Sequence, residues 1–368
     1  MKRLLFVLVF VLFALQSINA QEYRTYGQER FLVLSSPESA NCYIVSRSGY
    51  FMLATVKGNS SQSVGRVASA AVLWESFGTS TTPKVGSLIK RVVYKDGYIA
   101  FQTADTFKEG NAVIAAKDAN GKILWSWHIW LTDQPKGQVY YNGAGIMMDR
   151  NLGATSAIPS DMDALGLLYQ WGRKDPFLGP SPISYSTIAK STITWPLVVR
   201  SNSYTGTIAY ATVHPTTFIT CNDSNYDWFY TGSESTDNIR WATSENSKSI
   251  YDPCPAGWRV PDGGHNGVWS NALGSSSDFD GYPFDCDKIG MNFSGKFGSV
   301  STIWYPASGS RDGYHGGLGP EDGDYGIYWS ASPDGIYAYG LIFDFDESVN
   351  PSFNDSRANG LSVRCIKE

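Results

Sequence analysis

Short apolar runs separated by turn signals dominate the region between residues 21 and 135, and they predict seven strands. The predicted strands are 40–45, 50–57, 70–74, 88–94, 98–103, 112–117 and 123–131. In the last one, four apolar residues alternate and share one face, which we assign to the core: Ile123, Trp125, Trp127 and Ile129. His128 then lies on the outward face, where we expect a half-exposed surface residue.

Seven strands in about 110 residues predict a β-sandwich of immunoglobulin-like architecture. The segment Gln134-Pro135-Lys136-Gly137 breaks the strand pattern and indicates a domain boundary. We therefore predict a β-sandwich domain at 21–135 and a larger second domain at 137–368.

The second domain is predicted to contain both helices and strands. Together with the N-terminal sandwich, this predicts a chain that is mainly β with an α+β C-terminal part. Apolar residues at helical spacing predict two short helices, one at 163–171 with Asp161 or Asp163 as N-cap, and one at 266–274 that stops at a glycine. Strands are predicted at 327–331, 337–345 and 361–366. The Ser- and Tyr-rich stretch 179–250 lacks periodicity, which is typical of an elaborated functional loop region.

The first twenty residues have the pattern of a secretory signal peptide. Met1-Lys2-Arg3 precedes twelve apolar residues, too few for a membrane span, and small residues precede Gln21. Gln21 stands where a lipoprotein would have cysteine. We expect export to the cell surface, a fimbrium or the extracellular space, with the periplasm as an alternative, and no membrane span.

Composition and charge exclude a disordered chain and a nucleic-acid-binding protein. The 368 residues are 42% hydrophobic and 14% aromatic, which excludes a disordered chain. The net charge is −5 and no basic cluster follows the N-terminus, so a nucleic-acid partner is not expected.

Nothing in the sequence indicates catalysis. Four histidines are present, without a Gly-x-Ser-x-Gly or His-Glu-x-x-His motif. The five cysteines are an odd number, and none forms a Cys-x-x-Cys pair. Cys42, within an apolar run, is predicted to be a buried strand residue. We expect a non-enzymatic protein without a cofactor.

Two groups of residues are candidates for binding. Asp278, Asp280 and Asp287 are spaced partly like a calcium loop, although the first acid and the closing Glu are missing. The alternative is that these are solvated loop acids. Aromatic residues among Gly, Asp, Asn and His neighbours are candidates for a contact surface, with core packing as the alternative: Tyr226, Trp228, Tyr314 and Tyr325.

Several segments of the second domain together resemble a known family. They are Met147-Met148-Asp149-Arg150-Asn151-Leu152-Gly153-Ala154, Gly166-Leu167-Leu168-Tyr169-Gln170-Trp171-Gly172-Arg173-Lys174-Asp175-Pro176-Phe177, Tyr251-Asp252-Pro253-Cys254-Pro255-Ala256-Gly257-Trp258-Arg259-Val260-Pro261, Tyr328-Trp329-Ser330-Ala331-Ser332 and Gly360-Leu361-Ser362-Val363-Arg364-Cys365-Ile366. This set resembles the major paralogous domain family (FISUMP) of exported proteins from Bacteroidetes-type bacteria, found among fimbrillin-like and fimbrial-tip surface proteins.

The resemblance implies a C-type-lectin-like fold for 137–368 and a disulfide between Cys254 and Cys365. A second pair, Cys221 with Cys286, has as its alternative two buried thiols. The copper-dependent activity of formylglycine-generating relatives does not carry over, because no matching cysteine pair is present. The Glu-Pro-Asn and Trp-Asn-Asp triplets of sugar-binding C-type lectins are also absent.

We therefore expect a secreted adhesin or a fimbria-associated tip or accessory subunit. Its expected partner is a protein or glycan on a host or neighbouring cell, with fimbrial subunits as further partners. The alternatives are a glycan-binding component of a carbohydrate-uptake system and a structural exported scaffold.

Overall fold

The computed structural model describes residues 21–77, 83–179, 190–192, 197–222, 225–230, 238, 240–242, 247–274, 284–285, 289–318, 324–346 and 348–368. The predicted signal peptide at 1–20 lies outside these ranges. Strands account for 43% of the structure and helices for 6%, which confirms the prediction of a mainly β chain.

The described residues of the N-terminal part, 21–77 and 83–135, form nine strands. They are β1 (Tyr23–Tyr26), β2 (Glu29–Val33), β3 (Cys42–Val45), β4 (Tyr50–Ala54), β5 (Ser69–Phe77), β6 (Ile89–Lys95), β7 (Tyr98–Thr103), β8 (Gly110–Lys117) and β9 (Ile123–Leu131). Sheet A has the order β1-β2-β4-β7-β6, and sheet B contains β5-β8-β9-β3. All seven predicted strands are present, whereas β1 and β2 are not predicted by the pattern.

Sheets A and B pack face to face around a shared core. Trp125, Trp127 and Ile129 of β9 are buried in it, together with Phe51 of β4 and Phe101 of β7. The alternation along β9 therefore identifies the core face correctly, because successive strand residues point to opposite sides of a sheet.

The described residues of the C-terminal part form fifteen strands and two α-helices. The strands are β10 (Gly137–Tyr140), β11 (Gly145–Met148), β12 (Leu168–Gln170), β13 (Lys190–Ser191), β14 (Leu197–Arg200), β15 (Thr217–Thr220), β16 (Trp258–Arg259), β17 (Phe284–Asp285), β18 (Gly290–Asn292), β19 (Trp304–Pro306), β20 (Tyr325–Asp334), β21 (Tyr337–Asp344), β22 (Val349–Ser356), β23 (Gly360–Ser362) and β24 (Ile366–Lys367). The helices are α1 (Ile208–Val213) and α2 (Val268–Leu273).

These strands form several small sheets. The largest has the order β12-β23-β20-β21-β22, a second has β10-β11-β24-β16, and a third has β17-β18-β19. β14 and β15 form a parallel pair, and β13 joins sheet B beside β5. The predicted terminal strands correspond to β20, β21 and the β23–β24 region, and β22 is additional.

The helix predicted at 163–171 is wrong. Only one 3-10 turn forms there, Met162–Ala164, with Asp161 as its N-cap. The chain turns at Gly166, whose φ is +78° and where a Cβ would lie 2.8 Å from the Leu152 carbonyl oxygen. The chain then enters β12, which pairs with β23. Strand pairing overrides the local helical spacing of the apolar residues.

The second predicted helix is confirmed by α2, which ends at Gly274 as expected. Helix α1 was not predicted, since it lies in the stretch that lacks periodicity. Its N-terminus is capped by the Thr207 hydroxyl, which accepts a hydrogen bond from the Tyr210 amide.

The C-terminal part covers the outward face of sheet B. The Trp130 indole donates to the Ala154 carbonyl at 3.0 Å, and the Asn111 side chain donates to the Gly153 carbonyl at 2.9 Å. His128 on the same face is only 2% exposed. The half-exposed position expected for His128 is therefore wrong, because sheet B is buried on both faces.

Cysteine positions agree with two predictions. Cys254 and Cys365 form a disulfide. Cys42 begins β3 and is buried. Cys221 is buried as well, and its proposed partner Cys286 lies outside the described residues. Among the helices in the described ranges, none has both the length and the apolar character needed to cross a membrane.

Candidate functional site

Three tyrosine side chains meet on loops of the C-terminal part. The ring centroids of Tyr226 and Tyr314 are 6.3 Å apart, and those of Tyr226 and Tyr337 are 5.2 Å apart. Tyr314 is 46% exposed, and the other two are partly exposed. We call these three residues the tyrosine cluster.

Tyr226 is held by its backbone. Its carbonyl accepts hydrogen bonds from the Ser356 hydroxyl at 2.6 Å and from the Ala358 amide at 3.2 Å. Its φ of +53° is uncommon for a residue other than glycine. Such a conformation persists where the surroundings determine it, and here the two residues that follow, Asp227 and Trp228, are buried.

Tyr337 lies at the tip of the β20–β21 hairpin, which turns at Gly335. The Arg357 guanidinium donates to the Tyr337 carbonyl and to the Gly335 carbonyl, both at 2.8 Å. Because Arg357 is fully buried, these two bonds fix the hairpin tip to the interior.

Tyr314 lies in a loop closed by side-chain and backbone hydrogen bonds. The Asp312 carboxylate accepts from the amides of Tyr314 and His315, at 3.0 and 2.9 Å. The Gly313 amide donates to the Asn359 side chain at 2.7 Å. The loop therefore presents Tyr314 on a backbone with several fixed points.

A buried ionic group lies beneath the cluster. Asp227 pairs with Arg240 at 2.5 Å and lies 3.7 Å from Arg357, and all three side chains are inaccessible to solvent. The Arg240 guanidinium is 4.5 Å from the Trp171 ring centroid and 5.1 Å from that of Trp228. Planar guanidinium groups favour such stacking when desolvated. This group joins the segment that carries Tyr226 to the residue that anchors Tyr337.

The tyrosine hydroxyls are suited to binding and not to nucleophilic chemistry. Desolvation, together with nearby Cys221 and Tyr226, raises the pKa of Tyr314 to about 12. Desolvation also raises the pKa of Tyr337. Both hydroxyls stay protonated at neutral pH, where they donate and accept hydrogen bonds.

The structure brings together two of the four predicted aromatic residues. Trp228 is 1% exposed, and its indole donates to the Trp171 carbonyl at 2.8 Å, so it packs in the core. Tyr325 is the first residue of β20, whereas Tyr337 follows the last residue of that ten-residue strand. The two ends of β20 are about 30 Å apart.

The sequence pattern does not predict Tyr337 as a binding residue. Its signal is local, since it follows the turn residues Asp334 and Gly335 at a hairpin tip. The buried ionic group has no such signal, because Asp227 and Arg240 are 13 residues apart and Arg357 comes from a distant part of the chain.

Two histidines of the C-terminal part have defined partners. His315 is exposed, and its Nδ1 lies 2.6 Å from the Asp312 carboxylate. His214 stacks on Tyr210 with a centroid separation of 3.9 Å. Within the described ranges, no three His, Cys, Asp or Glu side chains converge as metal ligands. The candidate calcium residues Asp278, Asp280 and Asp287 lie outside those ranges.

A separate cleft of about 820 Å³ lies where the N- and C-terminal parts meet. Its main cation is Lys248, whose Nζ donates to the carbonyls of Cys254, Pro255 and Trp258 at 3.1, 2.8 and 2.5 Å. These three bonds use all of the ammonium protons, so Lys248 stabilises the chain around the disulfide.

No family model matches the chain, and no curated protein or solved structure matches it either. The function is therefore inferred from the tyrosine cluster, its buried support and the resemblance described above.

Proposed function

We propose that the chain is an exported cell-surface protein that binds a partner protein through the tyrosine cluster and catalyses no reaction. The observation that carries this proposal is the convergence of Tyr226, Tyr314 and Tyr337 on loops held by a buried ionic group. Tyrosine supplies a large amphipathic contact area at low entropic cost, and preorganised loops reduce the cost of binding further.

Exposed apolar residues beside the cluster support a protein partner. Leu197 and Val198 of β14 are exposed, as is Leu318. A Cβ at Gly316 would lie 2.8 Å from the Val198 side chain, so the loop that carries Tyr314 packs directly against β14. Apolar patches with aromatic anchors are typical of protein interfaces.

The glycan-binding alternative has less support at this site. The Tyr226 and Tyr314 rings meet at 88°, so they offer no shared flat platform for a sugar. The nearest carboxylates also have internal partners. Asp312 pairs with His315, and Asp355 accepts from Asn359 at 2.9 Å.

We further propose that residues 21–135 form an immunoglobulin-like sandwich for spacing or assembly, and that residues 137–368 form a C-type-lectin-like domain that presents the cluster. The FISUMP resemblance supports a role as an adhesin or as a fimbria-associated tip or accessory subunit. The signal-peptide pattern supports export. Calcium at Asp278, Asp280 and Asp287 stays a weaker hypothesis.

The test is an array of host and bacterial surface proteins, with a parallel glycan array, probed with residues 21–368 in calcium and in chelator. We expect binding to a protein, weakened about tenfold or more by Tyr226→Ala and by Tyr314→Ala. Tyr141→Ala, which removes another exposed tyrosine of the C-terminal part, is the matched control. Binding to glycans alone would favour the uptake component, and binding to neither array would favour the scaffold.

A further inference from the structure

The N-terminal hairpin folds across the outer face of sheet A. β2 pairs with β4 at only two positions, Leu32–Phe51 and Val33–Met52. Lys95 Nζ of β6 nevertheless lies 4.6 Å from the Tyr26 ring centroid of β1. In a flat sheet of this order, β1 and β6 would be about 19 Å apart. The β1–β2 hairpin therefore bends over the face and approaches the opposite edge.

A small apolar cluster lies between the hairpin and the sheet. Its buried members are Phe31, Val33, Met52 and Ala100, with Tyr26, Tyr50 and Tyr98 partly buried around them. Strand register places Arg91 beside Gln102 and Lys95 beside Tyr98 on this same outer face. The solvent-facing side of a sheet normally carries polar residues. The apolar residues on this face of sheet A are instead covered by the β1–β2 hairpin.

The hairpin leaves a cleft of about 260 Å³, which we call the hairpin cleft. The lining residues that define its chemistry are Tyr26, Phe31, Tyr50, Arg91, Lys95 and Gln102. This volume is below the range of about 300–1,000 Å³ for drug-sized ligands, so the cleft suits one ring-sized group.

The charged residues on the strands of sheet A are mostly basic in a chain of net charge −5, and two of them, Arg24 and Lys90, pair with Glu22 and Asp105 just outside the strands. The strands carry five basic residues, Arg24, Arg30, Lys90, Arg91 and Lys95, and one acidic residue, Glu29. The nearby Glu29 carboxylate raises the pKa of Tyr50. Among the described residues, no carboxylate lies within ion-pair distance of Arg91 or Lys95. Two cations, Arg91 and Lys95, and one carboxylate, Glu29, thus line the cleft, and neither cation forms an ion pair with a described carboxylate.

We propose that the hairpin cleft binds one uronic-acid residue of an acidic polysaccharide. The aromatic rings match the apolar face of a pyranose, Arg91 and Lys95 match its carboxylate, and Gln102 and Glu29 match its hydroxyl groups. A neutral sugar would leave both cations unpaired. The site is separate from the tyrosine cluster, so it adds an acidic-glycan contact to whatever the C-terminal part binds.

The test is calorimetric titration of residues 21–368 with trigalacturonate and with the neutral galactotriose. We expect trigalacturonate to bind about tenfold or more tightly than galactotriose, with affinity falling as salt is added. Arg91→Gln and Lys95→Gln should each weaken trigalacturonate binding about fivefold to tenfold. Both side chains are exposed, so the variants should fold, as an unchanged melting temperature will show.

Lys122→Gln is the matched control, since it removes an exposed cation from the β8–β9 turn and should leave affinity unchanged. Equal binding of the two trisaccharides would overturn the proposal, as would an equal loss in Lys122→Gln. Inorganic sulfate that competes as well as trigalacturonate would show a simple anion site and would also overturn it. The absence of heat with trigalacturonate up to about 10 mM would do the same.

Discussion

The Asp227 carboxylate accepts hydrogen bonds from both terminal nitrogens of Arg240, at 2.9 and 2.5 Å, and neither side chain touches solvent. The pair is bidentate, the geometry in which a guanidinium and a carboxylate bind most specifically. Arg357 lies beside it and binds the tip of the β20–β21 hairpin. Asp227 therefore links the interior to two of the three loops that carry the tyrosine cluster.

Asp227→Asn should destabilise the protein by about 3–5 kcal/mol, because it removes the buried negative charge and leaves the charges of Arg240 and Arg357. Urea denaturation measures this loss. Hydrogen exchange at 225–230 and at the hairpin tip should rise together, since both depend on the same ionic group. Asp105→Asn is the control, because its pair with Lys90 is exposed and should contribute under about 1 kcal/mol. Equal losses in the two variants would contradict this role for Asp227.

The Cys254–Cys365 disulfide closes a loop with a sequence separation of 111 residues. Loop-closure entropy assigns about 4–5 kcal/mol to a crosslink of this length. The double variant Cys254→Ser/Cys365→Ser should lose about that free energy of unfolding, measured by urea denaturation without reductant. Reduced wild-type protein should match the variant. A reduced wild type as stable as the oxidised protein would show that the crosslink does not stabilise the fold.

Burial at His128 predicts a loss of stability in acid. Desolvation lowers the pKa of His128 to about 3, whereas the unfolded chain takes up this proton near its ordinary value of 6.5. The stabilising contribution is complete above about pH 6.5. It falls by about 1.4 kcal/mol per unit as the pH drops toward 3.

His128→Gln isolates this effect. Asn111 already donates its amide to the Gly153 carbonyl, so His128 Nε2 donates to the Asn111 oxygen at 2.8 Å, and a glutamine amide can replace that donor. Urea unfolding at pH 7 and at pH 4.5 should show wild type losing about 2–3 kcal/mol more than the variant. Parallel losses in both proteins would contradict a neutral buried histidine.

The sequence predicts most of the N-terminal strands, because alternation and turn residues are local signals. It places His128 wrongly for the same reason, since alternation does not show that a second part of the chain covers the outward face. The helix predicted at 163–171 does not form, because the chain turns at Gly166 and residues 168–170 pair with the distant strand β23. The polar neighbours of Tyr226 and Tyr314 indicate a contact surface, whereas no local pattern pairs Asp227 with Arg240, which lies 13 residues away.

Lys174 and Asp175 lie in the interface between sheet B and the C-terminal part. Lys174 Nζ donates to the Asp175 carboxylate at 2.7 Å and to the Ser126 hydroxyl at 2.6 Å, and the same carboxylate accepts from Ser126 at 2.6 Å. Both charged side chains are buried. Desolvation lowers the pKa of Lys174, and the adjacent Asp175 carboxylate opposes that shift.

Lys174→Met should therefore cost about 3–5 kcal/mol, because it leaves the Asp175 charge buried without a cation. The double variant Lys174→Met/Asp175→Leu should recover most of this loss, since both charges of the pair are removed together and the apolar volume is kept. Urea denaturation of the two variants and wild type measures both steps. A double variant less stable than Lys174→Met would mean that the hydrogen bonds to Ser126, and not the paired charges, hold this part of the interface together.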